Sequence, residues 1–155
     1  MQVIMGLLKN FPLISSVLAM VLGQAFKILY YYFVDKKIDF RHFFEAGGMP
    51  SAHSAMVSSL VLSIGIQEGW GSPLLAVAVA FACIVIYDAV GVRRATGKQS
   101  MIIKRILDDM NKTDRISDEN LHEFMGHSPL EASVGIVFGM VIALIMYFGV
   151  YRFVY

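Results

Sequence analysis

Residues Gly126–Val150, GHSPLEASVGIVFGMVIALIMYFGV, decide the fold. A short polar opening runs straight into about 20 apolar residues, which is what one helix needs to cross a bilayer's hydrocarbon core. Beyond Glu131 the stretch carries no charge. Its start reads as a helix N-terminus, with Ser128 at the N-cap, Pro129 in the first helical position and Glu131 in the third, a capping box. Glu131, Gly135, Gly139 and Ala143 recur every fourth residue and so share one face. Small residues mark where membrane helices pack closely, so that face, carboxylate included, turns into protein rather than lipid. The other use of Gly135-x-x-x-Gly139 is a dimer seam.

Working outward, three further apolar segments run over about 11–33, 50–66 and 73–92, with 128–150 as the fourth. The first has Lys27 as its only charge and ends in Tyr30-Tyr31-Tyr32-Phe33, an aromatic belt. That run is too long, and its lysine too late, for a cleaved signal peptide. The second is short and opens with Pro50-Ser51-Ala52-His53; the third carries Asp88. Residues 35–49 form a polar loop, and Gln67–Ser72, with Gly69 and Gly71, form a tight turn. The expected fold class is all-α: an integral membrane helical bundle of about four transmembrane helices. One or two interfacial helices belong in the polar insert at about 96–126. There Ile102, Ile103, Ile106, Leu107 and Met110 share a face opposite Lys104 and Arg105, and Asp114 or Ser117 caps a second short helix ending near Met125. The chain has 155 residues, 57% of them hydrophobic, with a mean hydropathy of +0.63. Once the spans are removed too little remains for a second core, so residues 1–155 read as a single membrane-embedded domain. The one cysteine, Cys83, has no intrachain partner for a disulfide.

Thirteen basic residues face twelve acidic ones, so no net field invites nucleic acid. Their placement matters more. With four spans, eleven basic residues lie on the face of the loops after spans one and three, Lys27 near the end of span one among them, and only Lys9 and Arg152 on the opposite side. The positive-inside rule then predicts a multi-pass protein of the cell membrane with the eleven-residue face in the cytoplasm and both termini outside. The same topology brings four polar groups to that face: Lys27, Ser51 with His53, Arg93 with Arg94, and His127 with Glu131. Ionisable groups at membrane depth are costly and mark function. Helices beginning at Ser51 and Ser128 present N–H donors and a partial positive charge to an anion. Lys27, Arg93 and Arg94 add cations, arginine as a bidentate fork. Phosphate fits this inventory.

Plainer roles stand beside these. The capping box explains Glu131 without His127. Lys27 lies about 9 Å inside the end of its span, within reach of the interface by snorkelling. Asp88 reads as a counter-ion for Lys27 or an arginine, since intramembrane carboxylates usually pair. No His-x-x-x-His or cysteine pair gives metal spacing, so neither metal nor cofactor is expected. His42 and His122 sit in charged loops and are read as solvated.

Three segments carry a resemblance. Gly47–Ser54 (Gly-Gly-Met-Pro-Ser-Ala-His-Ser), Tyr87–Arg94 (Tyr-Asp-Ala-Val-Gly-Val-Arg-Arg) and Gly126–Glu131 (Gly-His-Ser-Pro-Leu-Glu) resemble the motifs of the divergent bacterial branch of the type 2 phosphatidic acid phosphatase superfamily. That superfamily also includes vanadium-dependent haloperoxidases. Against its wider pattern, Lys27 lacks a following Arg-Pro, Ala52 replaces glycine, Glu131 replaces aspartate, and a long insert separates Arg94 from His127. The resemblance implies a metal-independent membrane lipid phosphatase that hydrolyses a lipid phosphate monoester or diphosphate through a phosphohistidine. His127 would be the nucleophile and Glu131 would orient its ring. His53 would protonate the leaving oxygen and then activate water. Lys27, Ser51, Arg93 and Arg94 would hold the phosphate. The partners expected are a lipid phosphate substrate and membrane lipids, with no nucleic acid. Four spans make a slender bundle, which leaves a homodimer open. The alternative is a non-catalytic protein that binds phosphate or phospholipid, or a small transporter. The cations serve either role, whereas two histidines with Glu131 are more than binding needs.

Overall fold

The computed structural model describes residues 6–7, 9–36, 48–92, 95–97, 99–103 and 128–154. The regular structure among them is all helical: α1 (Phe11–Asp35), α2 (Ala52–Glu68), α3 (Pro73–Val90) and α4 (Pro129–Met146). A π-helical turn, Tyr147–Tyr151, and a short final helix, Arg152–Val154, prolong α4. Each long helix begins where a polar side chain replaces a missing backbone partner. Asn10 accepts from the Leu13 N–H at 3.0 Å, Ser51 from Ser54, Ser72 from Leu74 at 3.2 Å, and Ser128 from Glu131 at 3.3 Å. Proline stands in the first turn of α1, α3 and α4, where its missing N–H costs nothing. Between α2 and α3 the expected turn closes through Gly69, at φ +88°, whose carbonyl accepts from Ser72 at 3.2 Å.

Among the described residues three helical stretches are long and apolar enough to cross a membrane: Phe11–Phe33, Pro73–Ile103 and Pro129–Tyr151. Helix α2 differs from the expected second span. It has 17 residues, starts at Ala52 rather than Pro50, and buries Ser54, Ser58, Ser59 and Ser63. At about 25 Å it falls short of a full hydrocarbon core. Its polarity is tolerable because α1, α3 and α4 pack around it. Past Gly91 helical residues continue as far as 99–103, where Met101, Ile102 and Ile103 are exposed. Ile102 and Ile103 begin the apolar face expected for the insert. Ile106, Leu107, Met110 and the caps at Asp114 and Ser117 lie outside the described residues.

Register follows from a few close contacts. Ser15 and Ser59 share a buried hydrogen bond of 2.8 Å, and a Cβ added to Gly23 would stand 3.4 Å from Ala52 Cα. Higher numbers on α1 thus meet lower numbers on α2, and the two are antiparallel. Helices α2 and α4 are parallel. Gly135 sits against Ser51 and Ser54, Gly139 against Ala55 and Ser58, and Ser58 Oγ donates to the Ile136 carbonyl at 3.0 Å. The small-residue face of α4 therefore packs on α2 of the same chain. Helix α3 returns along the other side, where Leu75 and Ala78 cluster with Ile64, Leu60 and Val61. Phe11 stacks on Tyr151 with ring centroids 4.5 Å apart, tying the start of α1 to the end of α4. One end of the bundle consequently collects the end of α1, the start of α2, the end of α3 and the start of α4.

Candidate functional site

At that end the starts of α2 and α4 are joined directly. The Ser51 backbone N–H donates to the Glu131 carbonyl at 3.1 Å. Such an approach requires Gly135, because a Cβ there would collide with the Ser51 carbonyl oxygen. Ser51 is fully buried, and its Oγ accepts from the Ser54 N–H at 3.4 Å and the Ser54 hydroxyl at 3.1 Å. Its hydroxyl is thus engaged in the cap of α2. Glu131 makes the expected capping box, its Oε2 accepting from the Ser128 N–H at 3.3 Å.

Lys27 is 1% exposed. Gly23, one turn before it, meets Ala52, and Tyr31, one turn after it, places its hydroxyl against Gly48. Lys27 therefore stands level with Pro50 and Ser51, on the stripe of α1 that also carries Ser15, Ala19 and Gly23. Burial in that stripe speaks against the plainer alternative of a snorkelling lysine.

His53 takes a different side of α2. It shares a face with Leu60 and Ile64, which pack on α3. Ser51 and Ser54, by contrast, pack on α4. His53 thus flanks the start of α2 on one side and Glu131 on the other. Asp88 is half-buried on α3. Because Ile64 meets Leu75 and Ala78 in an antiparallel pair, Asp88 comes level with His53 at the same end. The structure so gathers Lys27, Ser51, His53, Asp88 and Glu131 at one end of the bundle. His127, Arg93 and Arg94 lie outside the described residues. Among the described residues, no group of three or more His, Cys, Asp and Glu is placed to hold a metal ion.

Two contributors to this end escaped the sequence reading. Ser54 supports Ser51, and its signal was only its place one turn into a capped helix. Tyr31 reads in the sequence as part of an aromatic belt, although its spacing of four from Lys27 puts both on one face.

The sequence model of the Divergent PAP2 family matches residues 8–142. The chain belongs to that family. All three motifs of this divergent PAP2 protein, Gly47–Ser54, Tyr87–Arg94 and Gly126–Glu131, fall within the matched span. It is also 35% identical over 153 residues to an uncharacterized membrane protein of Bacillus subtilis (strain 168), YuiD, an alignment covering 92% of this chain and 97% of the relative. No solved structure matches the chain. The divergent PAP2 protein is thus a helical membrane protein whose matched region includes the joined starts of α2 and α4.

Proposed function

We propose that this protein is a membrane lipid phosphatase, hydrolysing a phosphate monoester or diphosphate of a lipid at the cytoplasmic face of the cell membrane. The observation that carries the reading is the hydrogen bond from Ser51 to Glu131 beside the buried Lys27. It sets two helix N-termini and a cation against one another, where an anion is favoured.

The chemistry needs no metal. Phosphate held by Lys27, Arg93 and Arg94 loses charge repulsion towards a nucleophile. A nitrogen of His127 attacks phosphorus, and the bond to the leaving oxygen breaks as His53 gives that oxygen a proton. The lipid alcohol departs, or a lipid monophosphate where the substrate is a diphosphate. Water then attacks the phosphohistidine while His53 takes its proton, and inorganic phosphate leaves. Displacement at phosphorus runs in line, with attacking and leaving groups on opposite sides. Helix α4 and His53 lie on opposite flanks of the α2 start, an arrangement that suits that requirement. Glu131, four residues after His127 in the sequence, stabilises its charged ring, and Asp88 balances the cations.

Purified protein in detergent with EDTA should release phosphate from a panel of lipid monophosphates and diphosphates. Orthovanadate, which mimics five-coordinate phosphorus, should inhibit. Binding of a lipid phosphate without turnover of any substrate would instead make the protein a phospholipid-binding or transport protein.

A further inference from the structure

Gln24 is a polar side chain of α1 with no task in the chemistry above. Its Oε1 is buried and, among the described residues, accepts no hydrogen bond. A buried carbonyl oxygen without a donor destabilises a fold, and such atoms are rare enough to call for a reason. Among the described residues one further buried atom is of this kind, Ser63 Oγ, and it lies about 18 Å along α2 from Ser51, at the far end of the bundle. Gln24 lies at the site.

Its position follows from the Gly23–Ala52 contact. These residues mark the line where α1 and α2 touch. In antiparallel helices, residues one step after the contact on each strand turn to the same flank. Leu22 and Ser51 precede it, and their flank is occupied by α4: Ser51 bonds to Glu131, and Phe26, one turn after Leu22, packs on Phe138 with centroids 5.8 Å apart. Gln24 and His53 follow the contact and share the opposite flank. Gln24, Lys27 and Tyr31 also share one face of α1, at spacings of three and seven. The unsatisfied oxygen thus lies about one turn deeper than Lys27, on the side of α2 that carries His53.

An acceptor at this place does not suit a fully ionised phosphate, whose oxygens all need donors. It suits a substrate O–H group. Resting on the phosphatase reading, we propose that Gln24 binds the substrate headgroup, its Oε1 accepting from an O–H carried beside phosphorus. Two sources share this chemistry: a free hydroxyl on the headgroup alcohol, and the P–OH of a phosphate monoanion. Either satisfies the Gln24 Oε1 on the leaving-group side, where His53 delivers its proton. Gln24 is then a specificity residue, as it selects substrates that bring their own donor.

The test is Gln24→Leu in the full-length protein, with lysophosphatidate (free hydroxyl), phosphatidate and an isoprenyl monophosphate (neither with one) as probes. Both KM and the ligand-induced shift in melting temperature are read. Without ligand the variant should melt at the same temperature as the wild type or higher, since an unsatisfied polar atom has gone. KM should rise about fivefold, one neutral hydrogen bond's worth. A headgroup hydroxyl predicts the rise for lysophosphatidate alone. The P–OH predicts it for all three probes below about pH 6, where phosphate esters keep their second proton, fading at higher pH. Unchanged KM and melting shifts for every probe would overturn the proposal. So would a lower melting temperature of the ligand-free variant, which would make Gln24 a structural group. A wild type that turns over none of the probes defeats the phosphatase reading instead, and the melting shifts still report on Gln24.

Discussion

The backbone N–H of Ser51 donates to the carbonyl of Glu131 at 3.1 Å, so a residue inside one motif is bonded to the last residue of another, 80 positions further along the chain. Backbone contact between helices in a membrane protein needs residues without side chains in the way. Gly135 and Gly139 provide that gap, and the polar ends of both helices are drawn together with it.

Gly139→Ala should therefore be costly. The new methyl would meet the Ala55 carbonyl oxygen and Ser58 Oγ, and the backbone of a packed helix cannot step aside. A loss of about 1–3 kcal/mol is expected in thermal unfolding in detergent. Gly149→Ala, with nothing within 4 Å of its Cβ, should change stability by no more than about 0.5 kcal/mol. Equal effects at both glycines would contradict the proposed register of α4 on α2.

Glu131→Gln separates two roles of one carboxylate. Glutamine can still accept from the Ser128 N–H, so the capping box survives and the melting temperature should barely move. If the carboxylate also stabilises the charged ring of His127, phosphate release should fall by about tenfold or more, as loss of a charged partner does. Unchanged turnover would leave Glu131 as a helix cap alone.

The spans were legible because bilayer length and apolarity are written directly into composition, and the capping box at Ser128 because its residue spacing is local. The inward face of Gly135 and Gly139 was legible too, as a period. What period could not show was which neighbour fills that face, or that His53 and Glu131 flank the α2 start from opposite sides. Those depend on the pairings of Gly135 with Ser51, of Gly139 with Ala55 and of Ile64 with Leu75, contacts between residues of different helices that carry no sequence signal of their own. The shortness of α2 was partly visible in its serines. The π-helical turn at Tyr147–Tyr151 has no counterpart in the pattern.

The Ser15–Ser59 hydrogen bond predicts non-additivity. Either single alanine leaves a buried hydroxyl seeking a partner, whereas the double variant removes both groups. A double-mutant cycle on unfolding should return a coupling of about 0.6 kcal/mol, the average for such bonds between membrane helices. Strict additivity would mean that α1 and α2 do not meet at these residues.

Lys27→Met should lower phosphate release about a hundredfold, the usual effect of removing one group that stabilises transition-state charge. Lys9→Met, on an exposed residue at the other end of α1, should leave release unchanged. Matching losses would point to a general effect of surface charge on lipid binding.

The most direct test of the paired helix starts as one site is to trap the intermediate. Protein mixed with lipid phosphate and quenched in alkali, where phosphohistidine survives, should carry phosphate on His127 in its peptide map. That phosphate should be absent from His127→Ala, and His53→Ala should show greatly slowed turnover. Phosphate release that persists unchanged in His127→Ala, with no phosphohistidine in the wild type, would contradict the account.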